Sequence, residues 1–406
     1  MMKKTILLTL AILPSMTWAA ADSSYAPIDS FTYGQRPFYL IDDLDKSPLK
    51  EDLMACSTQT PQRSELSIAH RGAPLQFPEH TKEAYLAGAR MGAGVLECDV
   101  SFTKDKELVC RHSQNDLHTT TNILATPLAA KCSVPFTPAE FDESGKLVKA
   151  AAAECRTSDI TLAEFKTLKG KMDAGNDQAT TVEEYMNSTP SWRTDLYAQN
   201  GTLMTHKESI ALFKELGVKM TPELKKPVVE MPFDGFTQEQ YAQKLLDEYR
   251  EADIPAKDLL PQSFEYGDIE YWLKNGEEYG KQAVFLDEDF DTEKRIKDMA
   301  NMREAGLEFL APATPLLVAT KDGNIAPSDY AVAAKEAGFK LIAWSLERSG
   351  PLASGGGWYY TNINDITTKD SDVLKLIDFL AQELKVVGIF SDWPATVTYY
   401  ANCRGL

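Results

Sequence analysis

The sequence predicts an α/β fold of the (β/α)8 barrel type, a TIM-type barrel, on three observations. Short apolar runs of β character alternate with segments of 3.6-residue apolar periodicity, the pattern of βα units around a mostly parallel sheet. The chain has 406 residues, more than the ~250 of a bare eight-stranded barrel and within the range of one carrying insertions. Its composition, 43% apolar and 10% aromatic, is enough to fill one large core.

Taken in order, the chain opens with Lys3 and Lys4, an apolar run over residues 5–13, and small residues at Ala19, Ala20 and Ala21. That layout predicts a secretory signal peptide over residues 1–21, with cleavage after Ala19 or Ala21. No cysteine sits at the junction, which argues against a lipidated product. No later apolar run reaches the ~18 residues needed to cross a bilayer, so no stable membrane anchor is expected. Loss of residues 1–21 would remove two lysines and leave 40 basic against 60 acidic side chains, a formal charge of −20. Such a surface repels nucleic acid and anionic lipid. A phosphate would have to be held locally, by a cation or a few placed donors.

Residues 22–65 read as a loop-rich arm wrapped on the barrel, and residues 66–406 as the barrel. Strands are predicted at 66–71, 94–101, 107–112, 219–225, 259–264, 282–287, 309–314, 340–346 and 386–392. Helices are predicted at 81–91, 206–216, 238–252, 329–337 and 371–383. Nine strands compete for eight places. The gap between 101 and 107 is too short for a parallel crossover, so those two runs form a hairpin or a later run lies outside the barrel. The stretch from about 119 to 205, after the third strand, interrupts the alternation and reads as an insertion near the functional mouth. The aromatic segment around Trp358 reads as a lid or a packed loop. The six cysteines suggest disulfides in an exported chain: Cys132 with Cys155 and Cys56 with Cys403, leaving Cys98 and Cys110 as packed thiols.

The chemistry-bearing residues sit at strand ends. Glu97 and Asp99 are two apart on a strand and share a face; their mutual repulsion calls for a divalent cation. His70 and His112 each end a short apolar run. A tight turn over 101–107 would set His112 opposite Glu97. Glu223 closes the next strand, with Lys225 on the same face. Three carboxylates form an all-oxygen set suited to Ca²⁺ or Mg²⁺. Trp344 ends a further strand and could wall a pocket. His206 reads as a surface residue at a helix start.

In sequence order, these segments are His70-Arg71-Gly72, Pro78-Glu79-His80-Thr81, Glu97-Cys98-Asp99, His112, Glu223-Leu224-Lys225, Ser263-Phe264, Trp344 and Gly388-Ile389-Phe390-Ser391-Asp392-Trp393-Pro394. The series resembles the glycerophosphodiester phosphodiesterase family from residue 66 to 394, apart from the insertion. The resemblance implies a distorted barrel with His70 and His112 as general acid and base. It implies Glu97, Asp99 and Glu223 as metal ligands, Arg71, Lys225 and Glu79 around the substrate, and Trp344 against the glycerol. The sequence departs from the family at His80, where Asn is usual, at Ser113 in place of Asp, and at His118 in place of Arg. These departures bear on substrate detail more than on reaction class. The implied reaction is hydrolysis of a small glycerophosphodiester to glycerol 3-phosphate and an alcohol, with water or the neighbouring glycerol hydroxyl as nucleophile. A phospholipase D of the sphingomyelinase type and a non-catalytic phosphodiester-binding protein are the alternatives. Export implies a periplasmic or secreted protein.

Overall fold

The computed structural model describes residues 28, 30–194, 196 and 200–406, so the expected signal peptide lies outside the described residues. Eight parallel strands follow one another around the barrel: β1 (Ser64–Ala69), β2 (Ala93–Phe102), β3 (Lys219–Leu224), β4 (Gln262–Ser263), β5 (Val284–Asp287), β6 (Phe309–Pro312), β7 (Lys340–Leu346) and β8 (Gly388–Ser391). β1 pairs with β8 through Ser67↔Ile389 and with β2 through Ala69↔Leu96, which closes the sheet on itself.

The ninth expected strand, Leu108–Cys110, pairs antiparallel with β2 through Val100↔Cys110 and stays outside the barrel count. The five-residue turn before it closes with the Thr103 N–H donating to the Glu107 carbonyl, and Lys106 takes a left-handed φ of 66°. This odd-numbered turn shifts the register by one from expectation. Counted past the strand end, His112 falls beside Cys98 and not opposite Glu97.

Alternation along the strands sorts the side chains. Val95, Ile68, Val284, Leu286, Phe309, Ala311, Ile342 and Phe390 fill the barrel interior. Their neighbours Leu96, Cys98, Val100, Met220, Leu310 and Leu341 face outward into the larger core beneath the helices. That outer core includes helices Lys82–Arg90, His206–Leu216, Gln238–Glu251 and Asp329–Glu336. Helix His206–Leu216 starts at a capping box of Thr205 and Glu208 and ends at left-handed Gly217, two boundary signals written in the sequence. His206 is fully buried, 2.8 Å from Glu248 on helix Gln238–Glu251. The expected surface position is therefore wrong, because that helix packs over its N-terminal turn.

Residues 36–55 hold two helices, Arg36–Asp43 and Pro48–Ala55, where the reading expects loops. Leu40, Ile41, Leu44 and Leu53 bury their apolar stripe in the main core. Between the hairpin strand and helix His206–Leu216, the inserted segment carries its own apolar cluster, including Leu117, Ile160, Phe165, Tyr185 and Leu203. Two small antiparallel sheets and two Thr–Glu capping boxes, Thr161/Glu164 and Thr181/Glu184, order it locally.

Disulfides join Cys132 to Cys155 and Cys56 to Cys403, as expected. Cys98 and Cys110 are also bridged, which corrects their reading as packed thiols. The hairpin register makes them diagonal neighbours on one face, with Cα atoms 5.2 Å apart, inside the range a disulfide spans.

Candidate active site

Every strand of the barrel points its C-terminal end at one mouth, where residues from different strands can converge. Glu97 and Asp99 share the inward face of β2, between the outward Leu96, Cys98 and Val100. β3 sets Glu223 directly beside Asp99, and β4 sets Gln262 beside Glu223. Glu97, Asp99 and Glu223 each offer an oxygen, and these atoms all lie within 4.8 Å of one another. All three side chains are buried.

Three buried acids at this spacing oppose one another's ionisation. Desolvation, then Asp99 and Glu223, push the Glu97 carboxyl well above its ordinary range. Burial lifts Glu223 to about 7, against the pull of Lys225. Asp99 goes the other way: burial is outweighed by His80, Lys225 and Arg71, which hold it ionised. Lys225 Nζ donates to Glu223 Oε1 at 2.5 Å. Gln262 Nε2 and the Arg71 N–H donate to the two Glu97 oxygens at 2.9 and 2.8 Å. Asp99 Oδ1 remains buried without a hydrogen-bond partner. An orphaned carboxylate oxygen beside two further acids is a donor set that fits a hard divalent cation.

His70 follows β1 and lies 2.6 Å through Nδ1 from Asp392 Oδ1, just past β8. An ionised carboxylate only accepts, so Nδ1 carries the proton and Nε2 keeps its lone pair. Burial depresses the His70 pKa and Asp392 partly restores it. His112 lies across the same cavity, and desolvation followed by Arg71, Lys225 and Arg348 hold its pKa well down. Both imidazoles are therefore neutral near pH 7 and able to accept a proton.

Arg71 takes a left-handed φ of 53°, and Gly72 follows at 96°. A Cβ on Gly72 would come within 2.7 Å of the Ala84 carbonyl carbon, so this tight turn admits only glycine. The turn delivers the Arg71 guanidinium to the cavity, where Nη1 donates to Glu79 at 3.0 Å and Nε lies 3.7 Å from Asp99. Glu79 is buried and also accepts from Arg348 at 3.0 Å. It fixes the two arginines, while the cavity surface itself belongs to His70, Arg71, Glu97, His112, Glu223, Lys225 and Trp344, among others. That cavity measures about 730 Å³. The Trp344 indole N–H donates to the Ala311 carbonyl at 2.8 Å, leaving the ring as wall.

Nine side chains singled out from the sequence thus gather around one mouth, eight of them with a direct contact to another group there. Five participants were missed or undervalued. Asp392 lies in a family-like strand-end segment and Gln262 one residue before another, where only the fold reveals their partners. His80 is fully buried and bridges Tyr85 Oη (3.0 Å) to Asp99 Oδ2 (2.9 Å). Arg348 and Asp173 form a 2.7 Å pair that ties the inserted segment to the barrel mouth; no motif marks either. Ser263 turns away, donating to Asp268 at 2.9 Å. His118 lies within the inserted segment, stacked near Tyr185.

The Glycerophosphoryl diester phosphodiesterase family matches residues 70–396. An "Extracellular protein" of Arthroderma benhamiae is 49% identical over 245 residues, 58% of this chain and 100% of that protein. A glycerophosphodiester phosphodiesterase of Arabidopsis thaliana is 29% identical over 195 residues, 48% of this chain and 44% of the relative. Among solved structures, a Silicibacter pomeroyi chain assigned as a glycerophosphoryl diester phosphodiesterase superposes with a TM-score of 0.55 at 16% identity. It covers 84% of this chain and 96% of its own, and shows the shared barrel. With the family match running from the first histidine of the mouth past its last aspartate, the chain belongs to the glycerophosphoryl diester phosphodiesterase family.

Proposed function

We propose that the protein is an exported, divalent-metal-dependent hydrolase that cleaves glycerophosphodiesters to glycerol 3-phosphate and an alcohol. The observation that carries this reading is the buried trio of Glu97, Asp99 and Glu223 with an unpartnered Asp99 oxygen, of which Glu97 and Glu223 line one cavity with His70 and His112. The trio would hold Ca²⁺ or Mg²⁺, which supplies charge compensation for the phosphate oxygens. Arg71 and Lys225, both lining the cavity, add donors to the charge that grows on those oxygens in the transition state. His70, with Nδ1 held by Asp392, presents Nε2 to accept the proton of the attacking oxygen. His112 takes a proton from solvent and gives it to the leaving alkoxide, while His70 releases the proton it accepted back to solvent. Trp344 packs against the carbon face of the glycerol.

Three disulfides suit an oxidising compartment, periplasmic or extracellular. Among the described residues no helix is long and apolar enough to cross a membrane. The test is a glycerol 3-phosphate assay on protein stripped with chelator and then supplied with Ca²⁺ or Mg²⁺. Activity lost on stripping and restored by one of the ions is expected, with His112→Ala reduced at least ~100-fold. Full activity after stripping would remove the metal, and no product with either ion would remove the hydrolase.

A further inference from the structure

Arg348 stands in the loop after β7, and its planar fork meets three carboxylates from three parts of the chain. Nη2 donates to Asp173 Oδ2 at 2.7 Å and to Glu79 Oε2 at 3.0 Å, and Nη1 lies 3.4 Å from Asp392 Oδ2. Two of these acids already serve the site: Asp392 holds His70, and Glu79 holds Arg71. The side chains that line the cavity, among the described residues, include neither Arg348 nor Asp173. What Arg348 does for the reaction must therefore pass through its partners.

Asp173 makes the shortest of the three contacts, and it belongs to the inserted segment. Arg193 clamps it from the other side, with Nη2 donating to Asp173 Oδ1 at 2.6 Å and Nη1 to the Asp173 carbonyl at 3.3 Å. Arg193 Nη2 also donates to the Pro74 carbonyl, in the loop that follows the His70–Gly72 turn. The neighbouring Trp192 lines one small cavity with Gly350, so the segment meets the β7 loop a second time. A run of contacts thus passes from the β1 loop through the insertion to the β7 loop, and on to the end of β8. The side chains of Arg193, Arg348 and Asp173 are only 5%, 16% and 17% exposed. Water competes weakly there, and charge-assisted bonds hold their geometry. Because a guanidinium points its donors in fixed directions, anchoring Nη2 on Asp173 sets where Nη1 lies.

We propose that Asp173 is a positioning residue: through Arg348 it fixes Asp392 and Glu79, and with them the His70 imidazole and the Arg71 guanidinium. The inserted segment is then a working part of the active site. The inference deepens the hydrolase reading, on which its kinetic arm rests.

The experiment uses the full chain loaded with Ca²⁺ or Mg²⁺ and compares the parent with Asp173→Asn, Asp173→Glu and Thr181→Ala. The first removes the charge and keeps the shape, and the second keeps the charge. The third strips a capping box of the same segment without touching the network. Kinetics use whichever of glycerophosphocholine and glycerophosphoglycerol the parent cleaves faster. Separately, ¹⁵N-histidine NMR reads the His70 Nδ1–H, whose resonance reports the bond to Asp392 without turnover. Asp173→Asn is expected to lose kcat by about tenfold with KM little changed, the scale of one charged hydrogen bond acting on the reacting group. Asp173→Glu is expected to recover part of that loss, and Thr181→Ala to keep kcat while its thermal midpoint falls. The His70 signal is expected to move in Asp173→Asn and not in Thr181→Ala. An unchanged kcat with an unmoved signal in Asp173→Asn overturns the proposal, as does an equal loss of kcat in Thr181→Ala. If the parent cleaves neither ester yet the signal moves in Asp173→Asn alone, the positioning stands and the hydrolase reading falls. If the parent cleaves neither and the signal stays, both fall.

Discussion

Asp392 shows how much a single carboxylate can set. Its 2.6 Å contact with His70 fixes which ring nitrogen carries the proton, and its negative charge favours the imidazolium, so it raises the His70 pKa against burial. In Asp392→Asn that support is gone and the pKa falls further. The acid limb of the kcat/KM profile is expected to move to lower pH, while the plateau drops by roughly tenfold or more as the tautomer is lost. A limb that stays in place would show that His70 does not titrate in that limb. His80 acts one step further out, on Asp99. Outer partners of metal-bound carboxylates tune affinity, so His80→Ala is expected to weaken Ca²⁺ or Mg²⁺ binding by about 10–100-fold, measured by calorimetry. The burial-lowered His80 pKa of about 4 keeps the ring neutral, with Nε2–H on Asp99 and Nδ1 accepting from Tyr85. Sequence alone marked His80 only as a departure. Its role depends on a left-handed backbone at φ 54° that aims the ring back at β2.

The barrel strands were legible as elements because each buried run is short, apolar and bounded by turn residues, and strand ends carry the polar groups. Two of the helices missed have a faint pattern. Thr292–Glu304 buries only Met299 and Met302, and Ala395–Arg404 is filled with small and aromatic residues on all sides. Neither offers a periodic apolar stripe to read. The helices of residues 36–55 are short, and their partner surface is the far end of the chain, through pairs such as Phe38–Tyr399. The hairpin was one of two open readings, and its register was one residue off because the left-handed Lys106 lengthens the turn. The His70–Gly72 turn carries a sharper expectation. Gly72→Ala places a methyl against the backbone at Ala84 in a left-handed conformation, a cost of about 1–3 kcal/mol or more. Urea unfolding should show a lower midpoint with an unchanged slope. An unaltered midpoint would mean that the turn relaxes freely.

At the scale of the whole molecule, three acids meet where burial makes them costly, and an ion held by them would relieve that cost. Ligand that binds only the folded chain adds stability by mass action, about 2.7 kcal/mol at a hundredfold excess over Kd. Added Ca²⁺ or Mg²⁺ is therefore expected to raise the thermal midpoint of the parent and leave that of Glu223→Gln nearly unmoved. An equal rise in both would place the ion elsewhere. The contacts that join the mouth into one unit span long distances in the chain, as in Arg348 to Asp173 or Gln262 to Glu97, and no local pattern announces them. The Cys98–Cys110 bridge belongs to the same scale. Cys98 stands between Glu97 and Asp99, and Cys110 stands two residues before His112, so one covalent brace spans the back of the strand that carries two acids and the hairpin that carries an imidazole. Reducing this bridge would free the hairpin from that strand, so the two acids and the imidazole would lose their shared support.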